Sequence, residues 1–185
     1  RSAFTQQLNQ AGNFQGHILL SGINGDKYNV DLSTIPGHCG LYVDRNGVLV
    51  WGGVIWNRSY NSTEQKLHIS AQEWISYFAH RVVNQTTDFS GIDQLVIAKT
   101  LIENAQAETY GDIGVGYNSE GQTTSGALID RVYYNYELKN IFDAIQDLSR
   151  QSDGFDFHID IEYDGITGLP AKYFNTYYQI GRAHV

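Results

Sequence analysis

The side chains best spaced to do chemistry lie in one short segment, Phe155 to Tyr163. Side chains alternate across a strand. Phe155, Phe157, Ile159, Ile161 and Tyr163 therefore share one face, while Asp156, His158, Asp160 and Glu162 share the other, with Asp164 next in phase. Alternate positions stand ~6.5 Å apart along a strand, a workable separation for a carboxylate acid/base pair on a glycosidic bond or for shared ligation of a divalent cation. A half-buried strand in an acidic protein shows water the same pattern. A second candidate is aromatic. Tyr133, Tyr134 and Tyr136, and Tyr177 with Tyr178, cluster in a chain that also carries Trp51, Trp56 and Trp74. Such rings could stack on sugars, but strands and subunit interfaces use aromatics in the same way. Cys39 sits beside His38, but neighbours on a strand face opposite ways. The pair is badly set for proton transfer, and Cys39 reads as a small core residue.

Other sites fail on spacing. Gly111 to Gly116 (GDIGVG) lacks the dinucleotide-loop spacing, and the sequence contains no P-loop, H-E-x-x-H or G-x-S-x-G pattern. The sequons at Asn57, Asn61 and Asn84 read as chance matches. No catalytic residue, no metal site and no cofactor is assigned, and the inventory points away from an enzyme.

The elements that must position these residues fall into a β-rich first half and a helical second half. Phe14 to Ser21 and Lys27 to Leu32 read as strands around a turn at residues 23–26. Leu41 to Val43 and Val48 to Trp51 flank Asn46-Gly47, the strongest hairpin signal in the chain. Gly52-Gly53 inside an apolar run predicts a bulge that bends the strand and realigns Trp51 with Trp56. Residues 58–64 read as a polar turn and Lys66 to Ser70 as a strand. Three helices follow. The first starts at a Ser70/Glu73 capping box and carries Trp74, Tyr77, Phe78 and Val82; the second starts at Ser90/Asp93; the third carries Leu138, Ile141, Phe142, Ile145 and Leu148 and ends at Asp153-Gly154. Residues 111–126 form a long Gly/Ser/Thr-rich loop, with short strand character at 113–117. The expected organisation is a β-barrel-like region at 3–70, a two-helix insertion at 71–110, a loop and strand region at 111–137, and a helix followed by a strand at 138–179.

Composition narrows the function classes. In 185 residues, 42% hydrophobic and 13% aromatic, there is ample material for a packed core. Twelve basic residues scattered against 20 acidic ones give a net charge of −8 and no phosphate-tracking stripe, which disfavours nucleic-acid recognition. No apolar run of ~18 residues is present to make a membrane-spanning helix. Methionine is absent, the last six residues (IGRAHV) look like a translated sequencing adapter, and Arg1-Ser2 fits the opposite adapter. Residues 1–2 and 180–185 are therefore expected to be artefact, and the remainder a fragment of a longer protein.

Four motifs, in order, carry a family resemblance. Leu41-Tyr42-Val43 followed by Val48 to Trp56, with Trp51-Gly52-Gly53 at its centre, is similar to the V-W-G-G-x-I signature of minor tail proteins of actinobacterial siphophages. Ala71 to Phe78, containing Trp74, Tyr77 and Phe78 and closed by Arg81, resembles that family's x-x-F-x-S-Y-F-x-x-R helix. Asp93 to Ile102 resembles its next helix, and Asp143 to Leu148 leading to Gly154-Phe155-Asp156-Phe157 resembles its helix and G-F-x-F strand. The resemblance covers roughly residues 14–163; residues 171–179 match nothing in it. It implies an α+β fold, a small β-barrel or antiparallel sheets with about three inserted helices, of the tail-tip or baseplate-hub kind. It also implies a structural virion protein at the tail tip, assembled in the host cytoplasm as a homotrimeric ring. Such a ring closes the tail tube, anchors receptor-binding parts and contacts distal tail and tape-measure proteins. A lytic domain, where such a protein has one, lies further along the chain. The family's signature residues, here Trp51, Gly52, Gly53, Trp56, Trp74, Tyr77, Phe78, Gly154, Phe155 and Phe157, are structural. Two other classes stay open: a tail-associated glycan-degrading enzyme using Asp156, Asp160 or Glu162, and a carbohydrate-binding module using the tyrosine clusters.

Overall fold

The computed structural model describes residues 2–20, 29–117, 122–151 and 153–178. The chain divides into two compact units, residues 1–76 and 77–185.

The first unit is a five-stranded antiparallel sheet in the order β1-β2-β5-β4-β3, formed by β1 (Ala3–Phe4), β2 (Asn13–Leu19), β3 (Gly40–Arg45), β4 (Val48–Asn61) and β5 (Lys66–Glu73). Among the described residues β1 and β3 form the two edges, each paired on one side only. The β3–β4 hairpin turns on two residues, with Arg45 opposite Val48. Asn46 and Gly47 adopt φ of 56° and 82°, and the Gly47 N–H donates to Asp44 Oδ1 at 3.0 Å. Two left-handed residues match the twist of the flanking strands, which is why Asn-Gly serves here. One sheet face builds the core from Phe14, Trp51, Ile55, Leu67, Ile69 and Ala71, with Cys39, Leu41 and Val43 packed at its margin.

The bulges lie elsewhere than the glycines suggest. Gly52 and Gly53 sit in unbroken register opposite Tyr42 and Leu41, whereas the register skips at Val50 and at Trp56. The reason for Gly53 is close approach. A Cβ there would stand 2.0 Å from the Gln72 carbonyl oxygen and 2.8 Å from the Trp51 ring. Residues 58–61 continue β4 rather than forming a turn, and Leu32 lies in a short 3₁₀ turn, Leu32–Thr34, instead of a strand. The expected turn at 23–26 and the start of the 27–32 strand lie outside the described residues.

The helix expected from 70 onward is different in kind. Residues 71–73 extend β5, and Trp74–His80 is a seven-residue 3₁₀ helix. Glu73 does not close a capping box; its carboxylate accepts the Gly12 N–H at 2.6 Å across the sheet. A buried backbone donor claims the side chain that the local motif would have used.

The second unit contains β6 (Thr87–Asp93), α1 (Gln94–Ala107), β7 (Val115–Gly116), β8 (Leu128–Tyr133), α2 (Ile141–Ser149), β9 (Phe155–Tyr163) and β10 (Pro170–Tyr178). β6 pairs with β8, and β10 lies between β9 and a parallel β7. Ser90 belongs to β6, and Asp93 itself caps α1 by accepting the Leu95 N–H at 2.9 Å. Its other oxygen holds the Ser125 and Gly126 N–H groups at 2.9 Å each, fixing the end of the long loop. Asn140 caps α2 through the Asp143 N–H, and Leu138 precedes the helix in a left-handed conformation, 64% exposed. Past α2 the left-handed residue is Asp153 (φ 56°), not Gly154. Gly154 is demanded by space, because a Cβ would stand 2.0 Å from the Ser149 carbonyl oxygen. Leu95, Leu101, Ile102, Ile141, Ile145 and Leu148 of the two helices are all at most 2% exposed and share the unit's interior with Phe155 and Phe157.

Candidate functional site

The polar face of β9 is real, but it is not uniformly solvated. β10 runs antiparallel along the whole of β9, placing Tyr177 opposite Asp156, Asn175 opposite His158 and Tyr173 opposite Asp160. Directly opposed residues share a face, so these three neighbours of the acidic row come from a segment with no readable motif. Asp160 is the centre of the cluster. Its Oδ1 pairs with His158 Nδ1 at 3.1 Å, and its Oδ2 accepts from Asn175 Nδ2 and from the Tyr177 hydroxyl, each at 2.6 Å. Asn175 is 3% exposed and Asp156 8%, so the row dips into the interior at the β9 N-terminal end; Glu162 at the other end is exposed.

This arrangement bears on the proton chemistry of Asp160. The hydrogen bond from His158 first, then those from Tyr177 and Asn175, outweigh the cost of burial and pull the Asp160 carboxyl down to about 2. An acid that weak in affinity for protons is a poor general base and no general acid at neutral pH. Glycoside hydrolysis needs a partner carboxyl within about 5–9.5 Å. Asp156 is four residues along the strand, ~13 Å away, and buried, whereas Glu162 is two residues along, ~6.5 Å away, and exposed, so Glu162 is the carboxylate within that reach of Asp160. The cluster forms a stitch between two strands, His158 and Asp160 on β9 bonding with Asn175 and Tyr177 on β10. Among the described residues, no group of three or more His, Cys, Asp or Glu side chains has the geometry to hold a metal ion.

The tyrosine clusters separate on folding. Tyr133 is 2% exposed, packed edge-on against Phe89. Tyr134 and Tyr136 are exposed and stack on each other, centroids 5.2 Å apart and 18° from parallel. Tyr177 belongs to the Asp160 network, and the side chain of Tyr178 lies outside the described residues. The sequence-level cluster thus divides into one core residue, one exposed pair and one hydrogen-bond donor.

The motif residues are packed and bonded. In the first unit Trp51 is fully buried, its Nε1–H donating to the Thr5 carbonyl at 3.1 Å, with Phe14 and Phe4 at centroid distances of 5.5 and 6.4 Å. Gly52 and Gly53 are buried beside it. Trp56 donates to Ser76 Oγ at 2.8 Å, and Trp74 lies 5.5 Å from the Tyr42 ring, whose hydroxyl burial pushes up to about 12. In the second unit the Tyr77 hydroxyl donates to the Gly111 carbonyl at 3.1 Å, and Arg81 donates both to that hydroxyl and to the Tyr110 carbonyl. The Tyr-Phe-x-x-Arg spacing is thus a clamp that ties the 3₁₀ helix to the loop after α1. Phe78 is fully buried, while Phe157 meets Phe142 edge-on and Phe155 and Phe174 at tilted angles in the core. Gly154 lets β9 start against the end of α2.

Sequence reasoning missed Asn175, and it read Tyr177 as a sugar-stacking ring and Arg81 only as the end of a helix motif. The alternation of Phe174, Thr176 and Tyr178 against Asn175 and Tyr177 is weak because both sets mix polar and aromatic residues.

No protein-family model matches the sequence, and a search of curated proteins finds no match. Among solved structures the fold is similar to that of the E. coli c3393 protein, a component of the type VI secretion system that exhibits structural similarity to the T4 bacteriophage tail proteins gp27 and gp5. The likeness covers 97% of this chain with a TM-score of 0.55 at 11% identity, and the chain spans 47% of that protein's length. Identity this low speaks to fold, not to residue roles. The chain accordingly has a mixed α+β fold of antiparallel sheets and helices of the tail-hub-like kind.

Proposed function

We propose that this chain is a structural part of a phage tail or a tail-like injection machine, and more finely that it forms part of a tail-tip or baseplate-hub ring that closes the tube and anchors receptor-binding parts. One observation carries the reading: the tail-hub-like fold extends over 97% of the chain. Two others support it. Motif residues from Trp51 to Phe157 are spent on packing and backbone hydrogen bonds, and the best-placed carboxylate, Asp160, is committed to three neighbours. That is the residue economy of an assembly component. The partners on this reading are further copies of the chain, as a homotrimer, together with distal tail and tape-measure proteins; the place is the virion tail tip.

The test is assembly. Light scattering on the purified chain at tens of micromolar, alone and co-expressed with candidate distal tail and tape-measure proteins, should give a three-fold particle or a stoichiometric complex. A strictly monomeric chain that enters no complex, together with turnover of cell-wall glycans abolished by Asp160→Asn, would overturn the proposal in favour of an enzyme.

A further inference from the structure

The outer face of the first sheet carries two histidines that the tail-structural reading does not use. His17 on β2 lies directly opposite His68 on β5, and their ring centroids are 5.8 Å apart. His68 is exposed and His17 half-buried, and both line a shallow surface depression with Gln15 and Ser70.

That spacing is informative. Zinc binds imidazole nitrogen at about 2.0–2.1 Å, and the ring centre lies about 1.1 Å beyond the nitrogen. Two rings on one ion therefore have centres about 5–6 Å apart as the N–Zn–N angle opens from about 105° to about 130°. A separation of 5.8 Å lies at the wide end of this window, so a small inward turn of the two rings brings them to a tetrahedral angle. The strands are held in register by a ladder running from Asn13 opposite Gln72 to Leu19 opposite Lys66, so the two Cβ atoms are fixed and only side-chain torsions need adjust. We propose that His17 and His68 form a two-histidine surface site for a borderline divalent transition-metal ion such as Zn²⁺, with water in its remaining positions. Neutral imidazole is the ligand such ions prefer, and an incomplete protein set leaves positions open to an outside donor.

The charged surroundings are compatible. Lys66, two residues along β5, would repel a cation, but its ammonium is paired with Glu64 at 2.8 Å. Imidazole binds such ions in its neutral form, so protons compete with the metal as the pH falls.

Zinc chloride titrated into the whole chain at pH 7.5, followed by calorimetry and by the imidazole proton resonances, tests this. The expected result is one ion per chain at sub-millimolar affinity, broadening or shifting His17 and His68 alone. His17→Ala and His68→Ala should each weaken binding at least tenfold, while His38→Ala and His80→Ala leave it unchanged. At pH 5 the affinity should fall as protons compete. Absence of binding at millimolar zinc, or equal binding by His17→Ala with unchanged circular dichroism, would overturn the proposal; neither result bears on the tail-structural reading, which rests on assembly.

Discussion

Two polar sheet faces in this molecule have been treated in opposite ways. In the first unit the outer face of β2 and β5 presents His17 and His68 to solvent, joined by no hydrogen bond and held only by the backbone ladder beneath them. In the second unit the polar face of β9 and β10 is closed by side chains that bond one another, with Asp160 receiving His158, Asn175 and Tyr177. The first face rests on a sheet whose order is set by close backbone approach, as at Gly53. The second contributes to holding its own strands together. An open polar face keeps ligand atoms free for an incoming group, whereas a satisfied network spends them on stability.

Substitutions should separate the two cases. The largest effect is expected from Gly53→Val. A branched side chain cannot fit where a Cβ would already be 2.0 Å from a strand carbonyl, so the first sheet should fail to form and soluble yield should collapse. Near-native circular dichroism and oligomer size in that variant would break the claim that close approach sets the first sheet. Phe157→Ala comes next. Phe157 is 1% exposed and touches the Phe142, Phe155 and Phe174 rings, so a loss of about 3–5 kcal/mol is expected for the second unit in urea unfolding.

Asp160→Asn tests the network itself. The folded carboxyl titrates near 2, below its unfolded value of 3.8, so its stabilisation is fully present above pH ~4 and is lost as the pH falls through that window toward 2. The side chain is 42% exposed, and solvent screening reduces the effect to about 1 kcal/mol. Melting temperatures measured between pH 5 and 2 should fall less steeply in Asp160→Asn than in the parent; parallel slopes would show that the stitch contributes nothing. An effect of similar small size is expected from Gly47→Ala. A side chain at φ 82° costs about 1 kcal/mol, with no neighbour within 4 Å to clash, and denaturant midpoints should report a slight shift confined to the first unit.

Much of the molecule was legible before folding wherever a local rule decided it. Asn46-Gly47 turns the hairpin, the alternation of Phe155 to Tyr163 makes a strand, and the apolar periodicity of Ile141 to Leu148 makes a helix. Legibility failed where a distant group outbid the local one. Glu73 left its capping role for the Gly12 N–H, and Trp74–His80 tightened to a 3₁₀ helix. Gly53 and Gly154 were read for conformational freedom when their neighbours required absence of volume.

The candidate site shows the same division. The sequence by itself determined that Asp156, His158, Asp160 and Glu162 share a strand face, because a strand's side-chain period is two whatever surrounds it. It also determined that twelve scattered basic residues make no nucleic-acid track. Only tertiary structure decided that β10 would lie beside β9 in a register placing Asn175 and Tyr177 on the Asp160 carboxylate, and β2 beside β5 in a register facing His17 to His68. Strand register depends on pairing between residues far apart in sequence, 51 positions from His17 to His68 and 59 from Asn13 to Gln72, and no local spacing encodes which partner arrives. The hydrogen bonds that hold Asp160 come from neighbours on another strand, which its own spacing could not reveal.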